Sequence, residues 1–259
     1  MFAQTPAVPA PSGPFIILSK VDSTNNYAMA KLHAGHVQHG TSLLAIEQTA
    51  GKGQRGKEWL STVGENITMS TVMSIPALFS GDAITKVQSS PFLVSAAVAL
   101  ACYDFTKAFD VPDIRIKWPN DIYFGDRKAG GILIENVFQK GDWRWAVVGT
   151  GMNINQVLFA ELTRATSVLL ASGKRQDVLR EGRRLQQHLL SRMAWLRDAT
   201  PQQAMVSYNS VLYRAGEEVR LKRQNATFTT TLLHVDVWGK LHTADVMDRT
   251  FEVGEVEFV

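Results

Sequence analysis

Cysteine is almost absent. Cys102 stands alone in 259 residues, which excludes a disulfide framework within the chain and suits a reducing compartment. It closes the apolar run Phe92 to Cys102, where a buried, inert thiol is favoured over a nucleophile. Charge of one sign is scarce too. A net charge of +3 suits anionic ligands such as a nucleotide, but it lacks the basic stripe of a dedicated nucleic-acid binder. No apolar stretch reads as an uninterrupted membrane span. The first fourteen residues hold four prolines and no positive side chain, unlike a secretory signal, so a flexible arm over 1–14 of a cytoplasmic protein is expected. Hydrophobic and charged fractions of 45% and 20% exclude a largely disordered chain. The length suffices for one large domain with a small companion.

Phe15 to Leu18 reads as a strand. Asp22-Ser23-Thr24-Asn25-Asn26 then supplies N-cap residues ahead of Tyr27, Ala28, Ala30 and Leu32, a helix start. Thr41 to Glu47 and Ile67 to Ile75 read as strands, the second ended by Pro76. Between them, Gly51 to Gly56 has three glycines in six residues and reads as a loop. Phe92 to Phe109 is a core helix. Short strands at Ile114 to Lys117 and Ile122 to Phe124 flank the turn Trp118-Pro119-Asn120-Asp121. Ile132 to Phe138 and Arg144 to Val148 form a hairpin bent at Gly141-Asp142. Arg175 to Leu196 is an amphipathic helix. After Arg214 come the short β-prone pieces Val219 to Leu221, Thr227 to Leu233, Lys240 to Ala244 and Thr250 to Val253. This predicts a large domain over 15–214 and a small all-β unit over 215–259.

Three segments carry chemistry. In Gly51-Lys52-Gly53-Gln54-Arg55-Gly56, followed by Trp59, glycines let backbone N–H groups approach a ligand, and Lys52 and Arg55 place cations where phosphates sit. Glycine-rich loops are common, and no Gly-Lys-Ser/Thr closes this one as a Walker A loop. In Lys117-Trp118-Pro119-Asn120-Asp121, followed by Lys128-Ala129-Gly130-Gly131, a carboxylate and lysines stand ready for a triphosphate and Mg²⁺. The bland alternative is a solvated turn. In Gly149-Thr150-Gly151-Met152-Asn153-Ile154-Asn155, glycines end a buried strand and alternate asparagines face one side. Taken alone, a bulge with turn-forming asparagines accounts for that segment.

Ser23-Thr24-Asn25, the glycine-basic loop, Lys-Trp-Pro-Asn-Asp, Lys-Ala-Gly-Gly-Ile-Leu-Ile-Glu and Gly-Thr-Gly-Met-Asn-Ile-Asn occur in this order. Together they closely resemble the biotin protein ligase family, from about Ser23 to Asn155 and more loosely beyond. The resemblance implies an α+β fold: a mixed β-sheet with helices packed on one face, as in class II synthetases, plus a small C-terminal Src-homology-3-like β-barrel. It implies ATP, biotin and Mg²⁺, with biotin activated as biotinyl-5'-AMP and passed to a lysine of a biotin carboxyl carrier protein such as that of acetyl-CoA carboxylase. By resemblance, Ser23, Thr24, Asn25, Gln48 and the Gly51 backbone hold the biotin ring, and Gly131, Gly149 and Gly151 form its floor. Lys52 and Arg55 hold carboxylate and phosphates, with Gln54 alongside, and Trp59 packs on the adenylate. Lys117, Asn120 and Asp121 match the nucleotide and metal group, with Asp121 as Mg²⁺ ligand and orienter of the incoming amine. Lys128 matches the lysine at the reacting carboxylate and α-phosphate, and Asn153 and Asn155 lie toward adenine. Arg55, Lys128 and Asp121 are thus the catalytic candidates. Family members often have arginine where Lys52 and Gln54 stand here. Glutamine cannot neutralise phosphate, so Arg55 and Lys128 are expected to suffice.

A lipoate or octanoate ligase is the nearest rival, but its arginine-rich, triple-glycine segment with a nearby histidine is missing. About twenty residues precede Ser23, too few for a winged helix-turn-helix, so no DNA binding is expected. A non-catalytic biotin-binding module would not need Lys117, Asp121 and Lys128. His33, His36 and His39 fit no common metal spacing. A homodimer through a sheet edge stays open.

Overall fold

A computed structural model of the chain describes residues 13–159 and 164–259. Most of the expected arm, 1–14, lies outside the described residues. The elements run β1 (Phe15–Val21), α1 (Thr24–His33), β2 (Ser42–Gln48), β3 (Ile67–Ser74), α2 (Ile75–Leu78), α3 (Asp82–Ser89) and α4 (Phe92–Thr106). They continue with β4 (Ile114–Lys117), β5 (Asp121–Phe124), β6 (Arg127–Gln139), β7 (Asp142–Met152), α5 (Val168–Ser172), α6 (Val178–Asp198) and α7 (Pro201–Asn209). A second group comprises β8 (Glu218–Arg223), β9 (Ala226–Val235), β10 (Leu241–Ala244), β11 (Asp248–Phe251) and β12 (Glu257–Phe258).

The first seven strands form one sheet in the order β1-β2-β3-β7-β6-β5-β4. β1 pairs with β2 in parallel and the remaining neighbours are antiparallel, so the sheet is mixed. Its two faces follow from strand alternation. Leu44, Met69, Met73, Ile116, Ile132 and Val148 point into the core under α4 and α6. The alternate residues Leu43, Val72 and Val147 point the other way and bury Ala28 and Leu32 of α1. The expectation of helices on one face therefore holds for α4 and α6 but not for α1. Ala28 and Leu32 give α1 an apolar stripe of its own to bury.

Phe92–Phe109 is long and apolar enough by composition to cross a bilayer. Here it is α4 and its terminal turn, with Ala96, Ala97, Ala99 and Ala101 fully buried, so small residues let α6 approach closely. α6 begins at Val178 because the Asp177 carboxylate accepts from Leu179 N and Arg180 N at 3.0 and 3.1 Å, a side-chain N-cap. Residues 175–177 of the expected helix therefore lie before it.

The C-terminal strands form a five-stranded antiparallel sheet, β11-β10-β9-β8-β12. Its outermost strands, β11 and β12, do not pair with each other, so the hydrogen-bonded ladder stays open where a small closed barrel was expected. This sheet shares the main core through Val219, Leu221, Leu232, Val235 and Leu241. It is fastened by Trp118 Nε1 donating to Gly239 O at 2.9 Å. Asn209 adds two bonds to Val235, one to its carbonyl and one from its N–H, each 2.9 Å. Removing the amide leaves both backbone groups without a partner. Asn209→Ala should lower unfolding free energy by about 1–3 kcal/mol in urea; an unchanged midpoint would mean that these bonds do not hold the second sheet.

Candidate active site

A cavity opens on the α1 face of the sheet. Seven stretches of chain reach it, β3 among them through Thr68 and Met69. Ser23, Thr24 and Asn25 come from the start of α1, and Gln48 from the end of β2. Lys52, Gln54 and Trp59 come from the following loop, Asn120 and Asp121 from the turn into β5, and Lys128, Gly131, Gly149 and Gly151 from β6 and β7. These expected residues converge although up to 128 positions separate them in the chain.

The wall at α1 is a closed polar network. Gln48 Oε1 accepts from Thr24 N at 2.8 Å and from Thr24 Oγ1 at 3.1 Å, satisfying a free N–H of the helix start. Ser70 Oγ lies 2.7 Å from Thr24 Oγ1 and donates to Asn25 Oδ1 at 2.5 Å. Asn25 Nδ2 donates to Glu135 Oε2 at 2.8 Å. Fully paired, such a buried group is rigid. Ser70 is a supporting residue that the sequence did not reveal, as are the lining residues Thr68 and Met69, and Glu135, quoted in a motif, gains its role only here. Isolated polar residues in apolar strands give no signal of their own.

The floor depends on missing side chains. Gly131 faces Gly151 across β6 and β7, and Gly149 faces Leu133. A Cβ on Gly149 would stand 2.5 Å from Asn25 Oδ1, and one on Gly151 would stand 2.3 Å from Trp59 Cε2. Asn25 and Trp59 therefore lie directly on the sheet backbone. Trp59 is positioned by a narrow hairpin: Trp59 N donates to Gly51 O at 2.9 Å and Gly53 N to Lys57 O at 2.7 Å. The glycine-basic segment is thus a folded loop with Gly51 at its base.

Beside this floor, Lys128 Nζ pairs with Asp121 Oδ1 at 2.7 Å and lies 5.8 Å from the centre of the Trp59 ring. Asn120 Nδ2 donates to Ile132 O at 2.6 Å, so this amide fastens the Trp118–Asp121 turn to β6. One cation and one carboxylate are held together in a half-open cleft, an arrangement suited to neutralising and orienting an anionic substrate. No group of three metal-ligating side chains forms among the described residues. His39, one of the histidines weighed for metal, instead accepts from Ser74 N at Nδ1, 3.2 Å. Cys102 is buried, and burial with nearby Asp104 pushes its thiol up to about 12, so it is inert.

Five expected residues lie outside the cavity lining: Gly51 at the base of the loop, Arg55, Lys117, Asn153 and Asn155. Arg55 donates to Gly254 O at 2.9 Å, on the C-terminal sheet. Asn153 Nδ2 donates to Thr166 O and Asn155 Nδ2 to Gln176 O, both at 2.9 Å. Both asparagines are buried and tie the end of β7 to the segment before α6, with no lining role in the cavity. The strand stops at Met152, so alternation no longer aims their side chains.

Lys117 lies one strand away, opposite Asp121 in the β4–β5 register. Its ammonium sits 4.7 Å from the Tyr123 and Phe258 ring centres and 5.6 Å from that of Tyr213. Burial pulls its pKa from 10.5 to about 8; Asp121 opposes that shift, while Arg164, Lys128 and Arg214 add to it. Unfolding restores the ordinary value, so between about pH 8 and 10.5 the unfolded chain binds the extra proton and stability rises with pH. Below that window the penalty is present in full. Lys117→Met should flatten the rise in the urea midpoint over this interval, and an unaltered pH profile would contradict a buried ammonium.

Comparison with known proteins places this architecture. The family model for the biotin/lipoate A/B protein ligase family matches residues 18–153. A biotin–[acetyl-CoA-carboxylase] ligase of Mycobacterium tuberculosis is 31% identical over 250 residues, covering 94% of this chain and 87% of that protein. The bifunctional ligase/repressor BirA of Salmonella typhimurium is 32% identical over 146 residues, covering 55% of this chain; the match spans only 41% of that relative's length. A biotin protein ligase from Aquifex aeolicus, solved with biotin and ATP, shares the fold with a TM-score of 0.76 at 24% identity, covering 95% of this chain and 98% of that one. The chain belongs to the biotin/lipoate A/B protein ligase family.

Proposed function

We propose that the protein is an ATP-dependent biotin–protein ligase, which joins biotin to AMP and then transfers it to a lysine of a biotin carboxyl carrier protein. The observation that carries this reading is the Lys128–Asp121 pair, 2.7 Å apart, at the rim of a floor stripped of side chains at Gly131, Gly149 and Gly151. The Mycobacterium and Aquifex relatives named above are biotin ligases, which supports biotin over lipoate.

In the first step, a carboxylate oxygen of biotin attacks the α-phosphorus of ATP, and the bond to the β-phosphate breaks to release pyrophosphate. Two anions must meet. Lys128 and Lys52 reduce that repulsion, and the rigid network of Thr24, Asn25 and Gln48 aligns the ring end of biotin. Trp59 covers the reacting end and limits water. Arg55 turns inward from Gly254 as the loop orders on the nucleotide, and Gln54 contacts it without neutralising charge. In the second step, a neutral lysine amine attacks the activated carbonyl and AMP departs. Asp121, released from Lys128 as that lysine engages phosphate, takes the amine proton. A magnesium ion suits this site, because Mg²⁺ commonly uses one or two carboxylates plus substrate phosphates. Asp121 would hold it, and the ion would supply charge neutralisation on the phosphates.

In this reading residues 15–214 perform the chemistry, and the C-terminal sheet over 215–259, akin to the family's Src-homology-3-like unit, holds Arg55 at Gly254 until nucleotide arrives. Dependence on ATP and the single reduced thiol support a cytoplasmic setting. The test uses purified protein, biotin, MgATP and a biotin carboxyl carrier domain, followed by the mass of the carrier. The wild type should add one biotin. Lys128→Ala should slow adenylate formation at least about a hundredfold, the scale for losing one charge-stabilising donor, with an unchanged thermal midpoint. Near-normal pyrophosphate release by the variant would remove Lys128 from the chemistry.

A further inference from the structure

We infer that Glu135, which does not line the cavity, sets the direction of the hydroxyl protons in its α1 wall. It thereby makes Thr24 a hydrogen-bond acceptor that selects rings bearing an N–H. This deepens the ligase reading and rests on it, since the ring end of biotin is the end that this wall meets.

The order begins outside the cavity. A carboxylate oxygen only accepts. Glu135 Oε2 accepts from Asn25 Nδ2 at 2.8 Å, and the Leu133 carbonyl stands 3.4 Å from the same nitrogen. Two acceptors on that side settle the amide's orientation: its nitrogen faces β6 and its oxygen faces Ser70 on β3. Turning the amide over would set Asn25 Oδ1 against both of them.

The proton positions follow. Ser70 Oγ carries one proton and stands 2.5 Å from Asn25 Oδ1 and 2.7 Å from Thr24 Oγ1. Asn25 Oδ1 cannot donate, so the Ser70 proton goes to it. Ser70 is fully buried, and no solvent partner offers that proton another destination. The Ser70 oxygen is left as an acceptor toward Thr24. Thr24 Oγ1 then has two acceptors inside the wall, Ser70 Oγ at 2.7 Å and Gln48 Oε1 at 3.1 Å. Its one proton stays with them. Toward the cavity, Thr24 Oγ1 offers lone pairs only.

A reversed amide would reverse the order. Asn25 Nδ2 would donate to Ser70, Ser70 would donate to Thr24, and the Thr24 proton would be free to turn into the cavity. The pocket would then favour a ring oxygen over a ring N–H. A site that meets a substrate N–H with a buried acceptor rejects the isostere lacking it, because the acceptor is left unpaired. Glu135 thus acts on specificity from outside the cavity, through Asn25 and Ser70. A cyclic urea, with N–H groups on its ring, fits the native order. A dithiolane ring has no N–H and gives the Thr24 oxygen nothing.

The test uses calorimetry on biotin and on its two carbamate isosteres, in which one ring N–H or the other is replaced by oxygen. Pyrophosphate release with MgATP gives kcat and KM, and the thermal midpoint is followed throughout. Wild type should bind biotin at least about tenfold more tightly than the isostere whose oxygen meets Thr24. Glu135→Gln, which can still turn an oxygen to Asn25, should keep that preference. Glu135→Met removes the acceptor, and Glu135→Lys puts a donor in its place. The preference should shrink severalfold in the first and vanish in the second, for that one isostere alone. In both, KM for biotin should rise about tenfold while kcat and KM for MgATP stay within about twofold, the pattern of a lost binding interaction. An unchanged preference in both variants overturns the proposal. Equal loss toward the two isosteres also overturns it, because Glu135 then only stiffens the pocket. Should Glu135→Lys lower the thermal midpoint, Glu135→Met, which adds no charge, decides. A wild type that binds no biotin and releases no pyrophosphate would strike the ligase reading instead.

Discussion

Backbone laid bare on two neighbouring strands is the constraint on which the rest depends. Gly131 and Gly151 face each other across β6 and β7, with Gly149 two positions along, so a patch of sheet carries no Cβ atoms. Asn25 and Trp59 occupy the space this frees, within distances that an alanine could not tolerate. The helix start, the glycine-basic loop and the Lys128–Asp121 pair all take their positions from that patch. Glycine in a strand costs conformational entropy and packing. Here the cost is offset by the buried network that locks Asn25 to Ser70 and Glu135.

The C-terminal sheet takes part in the same arrangement. The turn after β9 receives Trp118 through Gly239, so the Lys117–Asp121 segment is held from outside as well as by Asn120 within. Gly254, between β11 and β12, holds Arg55. The small sheet thus touches two of the three chemistry-bearing segments, and its open ladder leaves the end strand β12 free to place Phe258 against Lys117. Stability and site geometry share the same contacts, which argues against treating the second sheet as a passive appendage.

Much of this was legible in the residues. The strand expected over Ile67 to Ile75, which ends one residue earlier where α2 begins, the core helix from Phe92 and the hairpin around Gly141 follow from alternation and apolar periodicity, and the motif segments do converge. The reading stopped where tertiary contacts decide. β6 extends back to Arg127 because Lys128 N bonds to Arg164 O and its carbonyl to Thr166 N, partners that a charged, glycine-rich stretch does not announce. The face on which α1 packs was not legible, because its only buried apolar residues are Ala28 and Leu32, too short a stripe to assign one. Asn153 and Asn155 were assigned by a strand period that lapses after Met152. Arg55 was assigned by charge, yet a carbonyl 199 residues away holds it. Ser70, and the part that Glu135 plays, could be found only from the fold, since their importance lies in what crosses over them.

Isotope exchange between labelled pyrophosphate and ATP tests the central claim most directly, because it reports the reversible meeting of acid and α-phosphorus without any acceptor protein. The account predicts label entering ATP only when biotin is present, with no exchange on substituting lipoate or octanoate. Exchange that runs without biotin, or that runs equally with lipoate, would contradict it.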